Sequence, residues 1–177
     1  AKLNHPNIVQ IYDIGHEEDF HFYTMEFLEG PSLDQVIYRE GFMSIDRALG
    51  IVLKVARALQ YAHSKGIIHR DIKPSNIMID GQNRIKVTDF GLALQEKSTR
   101  LTVDGSIVGT PEYMSPEQAA AEPASARSDI YSLGVVFYEL MTGKIPFEGE
   151  TALVVLKKIQ SAEPQWPRSL NAQIPLE

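Results

Sequence analysis

Three short stretches hold the residues best suited to chemistry: His69-Arg70-Asp71-Ile72-Lys73-Pro74-Ser75-Asn76, Asp89-Phe90-Gly91 and Ser115-Pro116-Glu117. Together they supply three carboxylates, an ammonium and a carboxamide. These are a proton acceptor, a positive charge and hard oxygen ligands for a divalent cation. Such a set suits transfer of an anionic group, where charge must be neutralised and held in place. The pattern H-R-D, an Asn five residues after the Asp, then D-F-G fixes seven positions. At about 5% usage per residue type it arises by chance on the order of once per billion start sites.

On these residues the chain resembles the eukaryotic-type (Hanks-type) Ser/Thr protein kinases, in a bacterial-like form. Further stretches carry the resemblance. Leu3-Asn4-His5-Pro6-Asn7-Ile8-Val9 is similar to the segment after the family's αC helix, and Thr24 to Gly30 to its interlobe hinge. Gly109 to Gln118 is similar to the segment that docks substrate, and Ser128 to Gly134 to the central αF helix. The resemblance implies transfer of the ATP γ-phosphate, with Mg²⁺ or Mn²⁺, to Ser or Thr hydroxyls of proteins. It makes Asp71 the proton acceptor, Lys73 a stabiliser of the transferring group, and Asn76 and Asp89 the metal ligands. The hinge backbone at Glu26 and Leu28 would meet adenine, with Met25 as gatekeeper and Met78 as floor. His69, Phe90 and Ile11 would belong to a stacked spine, followed by Gly91. Thr110 marks the Ser/Thr branch, Glu117 is structural, and Asp129 would anchor the catalytic-loop backbone. Arg70 would pair with a phosphorylated residue between Asp89 and Glu117. Thr102 is the favoured acceptor, with Thr99, Ser106 and Ser98 as alternatives, by autophosphorylation in trans.

The elements that must position these residues read as α+β. Ile8–Ile14 and Phe20–Leu28 alternate like an antiparallel pair, with a polar turn from Gly15 to Asp19. Ser32 and Ser44 are N-caps for helices over Leu33–Arg39 and up to about Ser64. The second has an apolar stripe at Ile45, Leu49, Val52, Val55, Ala56, Leu59 and Ala62, and Gly66 ends it. Ile77–Ile79 and Arg84–Val87 flank Asp80-Gly81 as a hairpin. Gly91–Gly109 lacks periodicity and reads as a long functional loop. Ser128–Met141 is apolar on nearly every side and predicts a buried central helix, and Thr151–Ser161 a last one.

Composition bounds the rest. The 177 residues contain no Cys, which excludes a disulfide scaffold, a thiol nucleophile and a Cys-based zinc site. A formal charge of −6 excludes a general nucleic-acid binder, although residues 65–100 carry a local excess of +3. No apolar run reaches about 18 residues, so this segment predicts no membrane contact and a cytoplasmic setting. His5, His16, His21 and His63 show no metal-ligand spacing. The resemblance divides the chain into a remnant of the small lobe (1–24), the hinge (25–31) and most of the large lobe (32–177). The family's Gly-rich loop, strand lysine, αC glutamate and terminal helices are expected outside it, as is an arginine partner for Glu117. The segment alone is therefore expected to be inactive. A pseudokinase or docking scaffold, and a small-molecule phosphotransferase on a related fold, are the alternatives.

Overall fold

A computed structural model describes residues 3–17, 20–90 and 110–175. Strands β1 (Ile11–Glu17) and β2 (Phe20–Met25) form an antiparallel pair, with Glu17 opposite Phe20 and Ile11 opposite Met25. The strand therefore starts three residues later than the apolar run suggests, and it reaches Glu17, inside the polar stretch expected to turn. Cross-strand pairing overrides the polar side chains there. The residues ahead of it are used elsewhere. Val9 N–H donates to Val87 O and Val87 N–H to Asn7 O, each at 2.9 Å. The Asn7 side chain donates to Ile85 O at 2.8 Å. The small sheet is thereby sewn to the second hairpin, β3 (Ile77–Ile79) with β4 (Ile85–Val87).

That hairpin turns on Asp80. Its Oδ1 accepts the N–H groups of Gln82 and Arg84, both at 2.9 Å, and Arg84 Nε donates to Oδ2. Asn83 takes the left-handed conformation (φ 59°) that a short polar side chain tolerates. The segment after β2 runs close by. Gly30 has φ 146°, and a Cβ there would lie 1.9 Å from Ile79 O. Only glycine permits this approach of the segment to β3.

Helix α1 (Leu33–Glu40) buries Leu33, Val36 and Ile37. Helix α2 (Ile45–Ser64) packs against β4 and the later helix α4 (Ala126–Thr142). Its buried positions are Ala48, Ile51, Val55, Ala58, Leu59 and Ala62. The predicted stripe shares Val55, Leu59 and Ala62, but Leu49 is 47% exposed. The alanines rotate the buried face because they let neighbouring elements approach closely. Helix α4 has a buried face of Leu133, Val136 and Leu140 and a polar one of Ser128, Asp129 and Ser132, also buried. Ile130, expected inside, is 53% exposed. The small polar residues take its place because each has a hydrogen-bond partner, as Ser132 Oγ does at Tyr113 O (2.7 Å). Gly143 (φ 71°) closes α4, donating to Glu139 O at 2.7 Å.

Three short helical pieces follow less obvious signals. They are α3 (Pro116–Ala119), α6 (Pro167–Leu170) and a 3₁₀ turn at Pro111–Tyr113. Each begins with proline, whose fixed φ and missing N–H suit a first helical position. Helix α5 (Ala152–Ser161) packs Val155 and Ile159 on Phe147 in a separate small core. No helix among the described residues is long and apolar enough to cross a membrane. Gly30→Ala is expected to destabilise the fold by about 2–4 kcal/mol, through strain and backbone overlap together. Chemical denaturation of the variant against the unaltered protein measures this.

Candidate active site

Helix α2 ends at a left-handed Gly66 (φ 73°), whose N–H bonds to His63 O while Ile67 N–H reaches Ala62 O. The chain then turns inward and buries His69 completely. Its ring is held at both nitrogens: Nε2 lies 2.7 Å from Thr88 O, and Nδ1 accepts Asp71 N–H at 3.2 Å. A neutral imidazole carrying its proton on Nε2 satisfies both contacts. Burial lowers the His69 pKa, which favours that neutral form. Phe90 meets the ring edge-on at 4.6 Å.

The backbone of this loop rests on Asp129, itself almost wholly buried. Its Oδ2 accepts His69 N–H at 2.9 Å and its Oδ1 accepts Arg70 N–H at 2.7 Å. His63 Nε2 lies 2.7 Å from the same Oδ2. Arg70 is held with φ 71°, a costly conformation for a residue with a Cβ. Its Nε is buried with no hydrogen-bond partner among the described residues.

Immediately downstream, Lys73 Nζ stands 3.0 Å from Asp71 Oδ2. A 3₁₀ turn at Pro74–Asn76 brings Asn76 back under Asp71. The Asn76 amide nitrogen donates to Asp71 O at 2.8 Å and to its Oδ2 at 3.2 Å. Its Oδ1 therefore faces elsewhere, with no donor to it among the described residues. Thr88 N–H donates to Asn76 O at 2.9 Å and so sets Asp89 beside this turn. Asp89 adopts φ 61°, and a narrow cleft joins it to Phe90, Ile11, Tyr23 and Met25.

These distances gather Asp71, Lys73 and Asn76 into one cluster, with His69, Arg70 and Asp129 as its support. The family model described as protein kinase domain matches residues 1–173. The chain belongs to the protein kinase domain family. Relatives include the serine/threonine-protein kinase PrkC of Bacillus subtilis, 45% identical over 99% of this chain and 27% of that protein. The probable serine/threonine-protein kinase PknB of Lactococcus lactis is 42% identical over 99% of this chain and 28% of that protein. PknB of Mycolicibacterium smegmatis is 40% identical over 98% and 29%. The chain thus spans less than a third of the length of these curated relatives.

In this kinase domain Glu26 and Leu28, expected at the hinge, line an open groove with Asp80 and Arg84. Met78 sits on β3 opposite Lys86 and does not line the cleft of Met25 and Asp89. Thr110 is exposed. Glu117 accepts from Ser128 Oγ, which lowers its pKa. Gly91, Ser98, Thr99, Thr102 and Ser106 lie outside the described residues.

Sequence reading missed several contributors. His63 carried no spacing signal, because its partner Asp129 lies 66 residues away. Lys86 was detectable as the one charge in an apolar strand; its Nζ pairs with Glu26 Oε2 at 2.8 Å. Gln118 stands three residues after Ser115, a capping-box spacing that was not used. Tyr113 OH donates to Glu139 at 2.6 Å, and burial, helped by Asp34, raises the Glu139 pKa.

Two outcomes follow. Asp129→Ala strands two buried N–H groups and is expected to cost about 2–4 kcal/mol, read from the denaturant midpoint. Burial raises the Glu26 carboxyl, but hydrogen bonds from Lys86 and Gln10 outweigh it and leave its pKa below the ordinary 4.5. The pair's stabilisation is therefore complete above that value and lost as pH falls through the lowered pKa. Glu26→Gln should melt earlier than the unaltered protein at neutral pH, and the gap should close in acid.

Proposed function

We propose that this chain is the catalytic core of a protein serine/threonine kinase that transfers the ATP γ-phosphate to protein Ser/Thr hydroxyls. The observation that carries the reading is the Asp71–Lys73–Asn76 cluster, with a carboxylate oxygen 3.0 Å from an ammonium and 3.2 Å from an amide nitrogen. Asp71 accepts the proton of the substrate hydroxyl as its oxygen bonds to the γ-phosphorus; the bond from that phosphorus to the β–γ bridging oxygen breaks, and ADP leaves. Lys73 offsets negative charge on the transferring group. Lys73 and Asn76 both hold Asp71, so it meets the hydroxyl in a fixed orientation.

The residues present fit a divalent cation. Asn76 commits its nitrogen to Asp71, which leaves a neutral hard oxygen, and Asp89 adds a carboxylate from the next turn. These two would hold Mg²⁺ or Mn²⁺, which when bound draws charge from the phosphates. Met25 and the hinge backbone at Glu26 and Leu28 would wall the adenine; Met78, expected beneath it, does not line the cleft at Met25.

Arg70 is the residue for regulation. Its buried Nε has no hydrogen-bond partner among the described residues and suits an anion, and a phosphate on Thr102, or on Thr99, Ser106 or Ser98, would supply one by charge-assisted bonds. Autophosphorylation in trans and a cytoplasmic setting complete the reading. The intact cluster favours an active enzyme over a scaffold.

The test is phosphate transfer from labelled ATP to a Ser/Thr-containing protein by the full-length protein. Asp71→Asn is expected to lower kcat by about 10²–10⁴-fold, with stability little changed. Equal rates for the variant and the unaltered protein would remove the reading.

A further inference from the structure

The two peptide units that flank Arg70 are held from opposite directions. Arg70 N–H is fixed by Asp129 Oδ1 on α4. The carbonyl of the same residue accepts a hydrogen bond from Gln118 Nε2 at 2.8 Å, across 48 residues of chain. Asp129 alone cannot orient that carbonyl, since rotation about the Arg70 Cα–C bond would move it and carry Asp71 with it. Arg70 already sits at an unfavourable φ; the N–H end of the Arg70–Asp71 peptide reaches His69 Nδ1 at 3.2 Å, and Gln118 restrains its carbonyl end.

Gln118 is unusually well fixed for this work. Its Oε1 accepts Ser115 N–H at 3.1 Å and lies 3.2 Å from Ser115 Oγ. An amide flip would put NH₂ against that N–H donor, so the nitrogen is committed to Arg70. Ser115 is fully buried. Helix α3, which carries Gln118, is itself tied down on both sides. Glu117 accepts from Ser128 of α4, and Gln160 of α5 donates to Ala119 O at 2.9 Å.

We propose that Gln118 is a positioning residue that transmits the placement of the Thr110–Ala119 segment to the Asp71 base through the Arg70 carbonyl. This deepens the kinase reading and rests on it. The rival reading is that Gln118 merely caps α3 through Ser115, as the capping-box spacing allows.

Two substitutions separate these roles because they split the two halves of the amide. Gln118→Glu keeps the oxygen that accepts from Ser115 and loses the donor to Arg70. Gln118→Lys keeps a donor and loses the acceptor. Positioning predicts that Gln118→Glu lowers kcat for protein phosphorylation by about ten- to a hundredfold. The KM for ATP should stay within about twofold, because nucleotide binding is not what the bond serves. Gln118→Lys should retain more kcat than Gln118→Glu. A pure cap predicts the reverse order, and that order, or unaltered kcat in Gln118→Glu, overturns the proposal. Should Gln118→Glu fail to fold, Gln118→Lys against the unaltered protein decides: near-full kcat supports positioning and a large loss overturns it. Amide hydrogen exchange over residues 69–72 is read in the same variants of the full-length protein. Faster exchange in Gln118→Glu than in Gln118→Lys supports the bond to Arg70 whether or not the protein phosphorylates anything. Absence of phosphotransfer by the unaltered protein would instead count against the kinase reading.

Discussion

One buried carboxylate organises this molecule. Asp129 lies inside the protein on α4, where an uncompensated charge would be expensive, and it accepts two consecutive backbone N–H groups and faces His63. Those bonds turn a burial cost into a constraint. They force His69 inward and hold Arg70 in a conformation it would not otherwise adopt, and Asp71 follows at the mouth of the turn. Without that acceptor, a loop with two orphan donors in the core would rearrange.

The other contacts extend this one. His69 passes the constraint to Thr88 and Phe90, and so to the strand that delivers Asp89. Asn76 closes the loop on itself at Asp71, and its backbone carbonyl receives Thr88 N–H. The Glu26–Lys86 pair links the segment after β2 to the same strand. Groups that bind charge are thus referred to a few rigid points on α2, α4 and β4. Phosphoryl transfer depends mainly on such positioning, because the protein contributes little covalent chemistry.

Much of this was legible in the residues, for a physical reason. Asp71, Lys73 and Asn76 are neighbours in sequence because a single tight turn holds them, so their spacing survives as a readable pattern. Helix ends at Ser44 and Gly66 were readable because the residues that start and stop a helix are local. What escaped was non-local or depended on packing. His63 meets Asp129 only once α2 and α4 are packed. Ala48, Ile51 and Ala58, none of them in the predicted stripe, turn the buried face of α2 away from Leu49. The inward polar face of α4 likewise looked like weak helix amphipathicity rather than a row of satisfied serines. β1 ran through polar residues because pairing with β2, not side-chain character, decides its length.

The central claim is that these supports exist to present one charge-bearing cluster to a nucleotide and its metal. The most direct measurement is a crystal structure of the full-length protein with a non-hydrolysable ATP analogue and Mn²⁺, whose anomalous signal locates the metal. The account predicts metal on Asn76 Oδ1 and the Asp89 carboxylate, with the Asp71 carboxylate facing the terminal phosphate. Metal and phosphates bound away from these three side chains would contradict it.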